Sequence, residues 1–282
     1  MTPSPLNRFL TYLLAAVIGF FCLAPIAWTA FASVAKQSDI VAKPARWWPS
    51  ELYLDRYREI LFDPESTVGS AFRAAFMNSL IVGTSTVIIS MAVGILGAYA
   101  FARLNFPFRR TTLIVFLMTY MLPQISLLIP LYMILNQLDL LDTKLGLILV
   151  NSSLVIPFTL WILSNYFMTI PKELEEAARI DGTSRLGALF RIILPSARPG
   201  IFAAVMFAFL LAWDEFMYAL IFTATDASKT IPVAISEFAG RYTTDFGLVA
   251  AGGLIAAVPP VIIALVFQRQ IVSGLAAGAV KG

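Results

Sequence analysis

The sequence predicts an all-α integral membrane protein with six transmembrane helices, and three observations carry that expectation. Of the 282 residues, 59% are hydrophobic and 13% charged, too little charge for a soluble domain of this size. The apolar runs reach membrane-spanning length, about 20 residues. They are continuous rather than alternating, which argues against a β-barrel. A single transmembrane domain over 1–282 follows. The formal net charge of +3 gives no reason to expect a nucleic-acid partner.

The first span is expected at 10–34. It contains Cys22, the only cysteine, and the chain has no histidine. An internal disulfide is therefore excluded, and neither a metal site nor a catalytic residue is expected. Ala30-Phe31-Ala32 mimics a signal-peptidase site. The apolar stretch before it is far longer than a signal-peptide core of about 7–15 residues, so an uncleaved span is expected. An external segment, 35–76, follows. Its "WWPSELYLDRYREIL" reads as a small folded piece, partly amphipathic.

The core, 77–268, is expected to hold spans at 77–102, 111–135, 146–168, 200–223 and 247–268. Pro123 and Pro130 fall in the third span, Pro157 in the fourth, and Pro259-Pro260 in the sixth. Each removes a backbone donor and favours a kink, which neighbouring membrane helices can accommodate. Gly94, Gly97, Ala98, Gly252 and Gly253 are small enough for helices to approach closely. Ser85 and Ser90 are expected to bond their own helix backbone. A tail, 269–282, rich in glycine and carrying Lys281, is expected to be flexible and cytoplasmic.

Lysine and arginine set the orientation. The second loop carries Arg103, Arg109 and Arg110, and the fourth carries Lys172, Arg179, Arg185, Arg191 and Arg198. The third loop has Lys144, and the fifth has Lys229 and Arg241. Loops two and four, with both termini, are thus expected in the cytoplasm. The basic residues of segment 35–76 weaken this bias, but an even number of spans keeps that segment outside.

The fourth loop, 170–199, is a charged stretch set between two apolar spans. It parses as two short helices. Pro171 suits a first helical turn, and Glu173, Glu175 and Glu176 follow where the helix dipole favours acids. Glu175 and Arg179 stand at i, i+4 and are expected to pair. Gly182 is expected to end the helix in a left-handed cap. Thr183 or Ser184 is then expected to cap a second helix that stops at Pro195. Ala177 and Ala178 beside charges offer a backbone for close approach by another protein.

"EAARIDGTSRLGALFRIILP" resembles the EAA loop of binding-protein-dependent ABC importers, with Glu176, Ala177, Ala178, Gly182, Ile192, Leu194 and Pro195 at matching positions. "AWDEFMYAL" at 212–220 and "FQRQIVSGLAAGAVKG" at 267–282 look like the permeases of sugar importers, the second permease of maltose and trehalose systems in particular. The resemblance implies a type I ABC importer permease fold in a bacterial inner membrane. It implies a second homologous permease, a dimeric cytoplasmic ATPase and an external solute-binding protein as partners. Glu176, Ala177, Ala178, Arg179, Asp181 and Gly182 would form the coupling helix seated on the ATPase. This chain would bind no cofactor, ATP and Mg being used by the ATPase. The sequence itself agrees, for it has no phosphate loop ending in Gly-Lys-Ser/Thr.

Charges inside a span mark functional candidates, and Asp214-Glu215 qualify. In a continuous helix the two point about 100° apart, so their jobs differ. Glu215 shares a face with Ala208, Ala212 and Ala219 and is expected to hold a neighbouring helix. Asp214 shares a face with Phe207, Leu211 and Tyr218, an acid beside an aromatic, which suits a sugar. Family members usually carry Asn at position 214, so Asp is a departure. Trp213, Tyr218 and Asn151 join Asp214 as candidates for the solute pathway. An ion-driven secondary transporter using Asp214 and Glu215 is the alternative.

Overall fold

The computed structural model describes residues 4–44, 46–240 and 244–279. Arg241 and Lys281, named above, lie outside the described residues. The described residues are mostly helical, and an isolated antiparallel bridge joins Ala239 to Thr244. The chain forms two compact units, 1–73 with 234–258 and 74–233 with 259–282.

In the first unit, helix α1 spans Pro5–Val34. It starts before the expected boundary because Ser4 accepts the backbone N–H of Asn7 and proline occupies the first turn. The most apolar stretch of α1 buries none of its side chains, and Phe20, Phe21 and Leu23 are all exposed. Helices α2 (Gln37–Ile40) and α3 (Asp55–Phe62) form the folded segment expected after it. Two buried charges organise that segment. Asp39 accepts from Arg46 and from the backbone and hydroxyl of Ser50. Arg56 donates to the carbonyl of Ala35 at 2.6 Å and pairs with Asp245 at 3.1 Å. The segment is shorter than expected, since helix α4 already begins at Thr67.

Helix α4 runs Thr67–Arg103, followed by α5 (Arg109–Tyr120), α6 (Gln124–Gln137) and α7 (Lys144–Thr169). The expected third span is thus two helices, meeting at 93°. The break falls at Pro123, which has no N–H and disfavours helical backbone in the residue before it. Pro130 and Pro157 stay inside their helices. The loop helices α8 (Lys172–Ile180), α9 (Arg185–Ala188) and α10 (Leu194–Ser196) come next, with a π-helical turn at Leu189–Ile193. Pro195 does not stop this run. It ends one residue later, at Ser196, and α11 (Arg198–Trp213) leaves at 83°. Helices α12 (Met217–Phe222), α13 (Ile231–Glu237) and α14 (Phe246–Ala279) complete the order. The helical backbone of α14 covers most of the tail expected to be flexible. Among the described residues, four helices are long and apolar enough to cross a membrane, or up to six spans if each bent pair counts as one.

Within the second unit, α4 and α7 pack through small residues. A Cβ at Gly94 would lie 2.7 Å from a Thr159 methyl, and one at Gly97 would lie 2.8 Å from Leu160. Gly200 similarly lies against the Tyr166 ring. One core cluster gathers Tyr99, Leu163, Phe167, Leu189 and Ile193, and another gathers Val82, Leu147, Tyr218 and Phe222. The Ser90 hydroxyl is buried with no hydrogen-bond partner among the described residues, contrary to the expected backbone bond.

At the Lys144 end of α7 a polar latch joins two loops. Asp142 accepts from the backbone N–H groups of Ala224 (2.9 Å) and Thr225 (3.1 Å) and from the hydroxyls of Thr225 and Ser228. Burial pushes its carboxyl up, but these bonds, led by Ser228, outweigh it and hold the group well below the usual carboxylate range. Asn78 donates to the carbonyls of Asp226 and Lys229, and Lys144 donates to that of Ala227.

Candidate functional site

Both candidate sites lie in the second unit. The first is the loop built on α8. Gly182 adopts φ +86°, and a Cβ there would meet nothing within 4 Å. The glycine is therefore needed for its backbone conformation and not for space. Thr183 donates its N–H to the Ala178 carbonyl at 3.0 Å, and Gly182 donates to that of Arg179 at 3.1 Å. These two bonds form a Schellman cap, which closes the last carbonyls of α8. Ser184, not Thr183, caps α9, accepting from Gly187 at 3.1 Å.

The acids of α8 divide. Glu176 is exposed, as are Ala177, Arg179, Asp181 and Gly182, while Ala178 is half-buried. Glu175 is buried and does not pair with Arg179 as its i, i+4 spacing suggests. Its Oε1 accepts from the Tyr99 hydroxyl at 2.6 Å, and its Oε2 lies 3.2 Å from Nε of Arg103. That Nε is out of line for a hydrogen bond, so the contact is an ion pair. The exposed pairing is worth only about 0.3–0.5 kcal/mol, whereas a buried carboxylate needs a full set of partners. Sequence spacing gave no sign of this partner, because Arg103 reaches Glu175 only through the packing of α4 against the loop. Ile180, 86% exposed, adds an apolar face beside the exposed charges.

The second site is a cavity of about 380 Å³ lined by Tyr120, Gln124, Asn151, Phe207, Asp214 and Glu215 among others. Here the expectation of a continuous fifth span fails. Helix α11 ends at Trp213, and α12 begins at Met217. Glu215 explains the break. Its two oxygens accept from the backbone N–H groups of Tyr218 (2.7 Å) and Ala219 (3.0 Å), donors that a new helix leaves open. The helix Glu215 holds is therefore the next one in the chain, not a packed neighbour on an alanine ridge.

The break also re-sorts the pathway candidates. Asp214 is exposed to the cavity, and Asn151 lines it with a buried Oδ1 that has no hydrogen-bond partner among the described residues. Trp213 instead stacks on Phe209 at 5.2 Å, and Tyr218 is fully buried against Phe222. Neither lines the cavity. Gln124 and Tyr120 do, and the sequence reading missed them. Their place follows from the Pro123 bend, which was the only signal available.

Residues 90–276 match the family described as binding-protein-dependent transport system inner membrane component. The chain is 38% identical over 268 residues to the trehalose transport system permease protein SugB of Mycobacterium tuberculosis, covering 94% of each. It is 36% identical over 283 residues to the trehalose/maltose transport system permease protein MalG of Thermococcus litoralis, covering all of both. Among solved structures, a chain of a bacterial ABC transporter involved in alginate import superposes with a TM-score of 0.78. The match covers 96% of this chain and 99% of that one, at 21% identity, and speaks for the fold.

Proposed function

The chain belongs to the family of binding-protein-dependent transport system inner membrane components, and from that premise we propose that it is one permease subunit of an ATP-driven sugar importer, coupled to a cytoplasmic ATPase through α8. It pairs with a second permease to enclose the solute pathway, and an external binding protein delivers the sugar. In this reading loops two and four, with both termini, face the cytoplasm, which the arginine and lysine content of those two loops supports. The chain itself performs no hydrolysis.

One observation carries this reading. Helix α8 buries one acid, Glu175, while Glu176, Ala177, Arg179, Ile180 and Asp181 stay exposed. A short helix fixed on one face and open on the other, with small side chains for close approach, is shaped for a protein groove. ATP-driven closure of that groove would move α8, and the spans attached to it would tilt.

At the cavity, Asp214 and Asn151 supply hydrogen-bonding groups beside the rings of Tyr120 and Phe207, a combination that suits a hydroxyl-rich solute with apolar C–H faces. The ion-driven alternative is weaker, because both oxygens of Glu215 are engaged by backbone donors.

The test is to express the chain with a second permease, an ATPase and a binding protein of the same family and to measure ATP-dependent uptake of trehalose and maltose into proteoliposomes. Glu176→Lys is expected to lose ATPase assembly and uptake together. Uptake that persists without the ATPase and collapses with the ion gradient would overturn the reading.

A further inference from the structure

Of the residues in α8, only Glu175 is buried. Its partners, Tyr99 and Arg103, stand one turn apart at the end of α4; Tyr99 is buried and the Arg103 side chain is only 4% exposed. These two side chains do more than neutralise one carboxylate. Arg103 also donates through Nη2 to the carbonyl of Ile170, at 2.8 Å, where the chain leaves α7. The Tyr99 hydroxyl, besides its 2.6 Å bond to Glu175, lies 3.3 Å from the carbonyl of Arg185, beyond the Gly182 corner. The end of α4 therefore grips the loop at three places: before α8, on α8 and after it.

A buried ion pair is a poor way to add stability, since desolvating both charges cancels most of their attraction. An apolar contact of the same size would hold the helix as firmly. What the charged version adds is register. If α8 slid or rolled on α4, the carboxylate would lose the hydroxyl and the guanidinium at once, leaving charge buried without a partner.

We propose that Tyr99, Arg103 and Glu175 are positioning residues that make α8 and the Arg103 end of α4 one moving body. A push on α8 then tilts α4 and is not absorbed by bending the loop. The inference rests on the coupling role given to α8 above and adds the route by which its motion enters the spans.

The test uses the full complex with its ATPase in lipid nanodiscs. Cys22→Ser removes the native thiol, and Leu211→Cys places a reporter in the cavity lining. The rate of maleimide labelling is measured without nucleotide and after trapping with ATP and vanadate. In the parent, trapping is expected to change the labelling rate. Tyr99→Phe and Glu175→Gln, which keep side-chain volume, are expected to retain ATPase binding and hydrolysis but to lose most of that change. Variants that respond as fully as the parent would sink the proposal. So would variants that shed the ATPase, since the cluster would then serve docking and not transmission. A parent complex that hydrolyses ATP with no change in labelling overturns the coupling role itself, and this inference falls with it.

Discussion

The hydroxyl of Tyr99 donates to the carboxylate of Glu175 across 2.6 Å, and both side chains are buried. The contact joins a transmembrane helix to the charged loop that follows α7. It also fixes what substitution should do to each partner.

Glu175→Leu alone, or Arg103→Met alone, strands a buried charge and should cost about 3–5 kcal/mol. The double variant removes both charges and should recover much of that loss. Thermal unfolding in detergent, arranged as a double-mutant cycle, measures the difference. Strictly additive losses would mean that the two residues do not interact.

Gly182 is held at φ +86° with open space around it. Gly182→Ala should therefore cost only the conformational penalty, about 1–2 kcal/mol, and leave coupling largely intact. Gly182→Pro cannot adopt a positive φ and also loses the N–H that bonds Arg179. Its cap should open, and ATPase co-purification should fall. Equal behaviour of the two variants would show that the cap geometry does not matter.

Asp142 has its pKa depressed by its hydrogen bonds, so the stability it contributes is present above the ordinary carboxylate value of about 3.9 and is lost as pH falls toward the folded value. Asp142→Asn should be less stable than the parent at pH 7 and should converge with it at acid pH, below about 4. Unfolding temperatures of the two proteins across this range test the sign. A gap that widens on acidification contradicts it.

Asp214 and Glu215 are neighbours with separable roles. Glu215→Ala removes the acceptor for two helix-start donors and should destabilise the protein by about 1–2 kcal/mol, as for a lost cap. Asp214→Ala, at an exposed position on the cavity, should leave the unfolding temperature nearly unchanged while lowering sugar uptake. Uptake assays and melting curves on the same preparations separate the two effects.

Much of this molecule was legible along the chain. The apolar runs locate the helices, and "ARIDGTS" announces a glycine-capped corner that the structure bears out to the bond. The break after Trp213 was not legible, because no proline or glycine marks it. It depends on a glutamate side chain turning back to the N–H groups of Tyr218 and Ala219. Tyr218, placed on the pathway by counting along one continuous helix from Asp214, was consequently assigned to the wrong surface.

Sequence by itself determined what depends on near neighbours: the length of apolar runs, the dipole-matched acids at the start of α8, and the positive φ that only glycine adopts cheaply. Tertiary structure decided which partner each buried polar group took. Glu175 had Arg179 within local reach, yet its carboxylate went to Tyr99 and Arg103 on α4. Solvent screens an exposed pair until it is worth little, while a buried carboxylate has no water to fall back on. Which groups become buried together is a property of the packed helices, and no spacing along the chain encodes it.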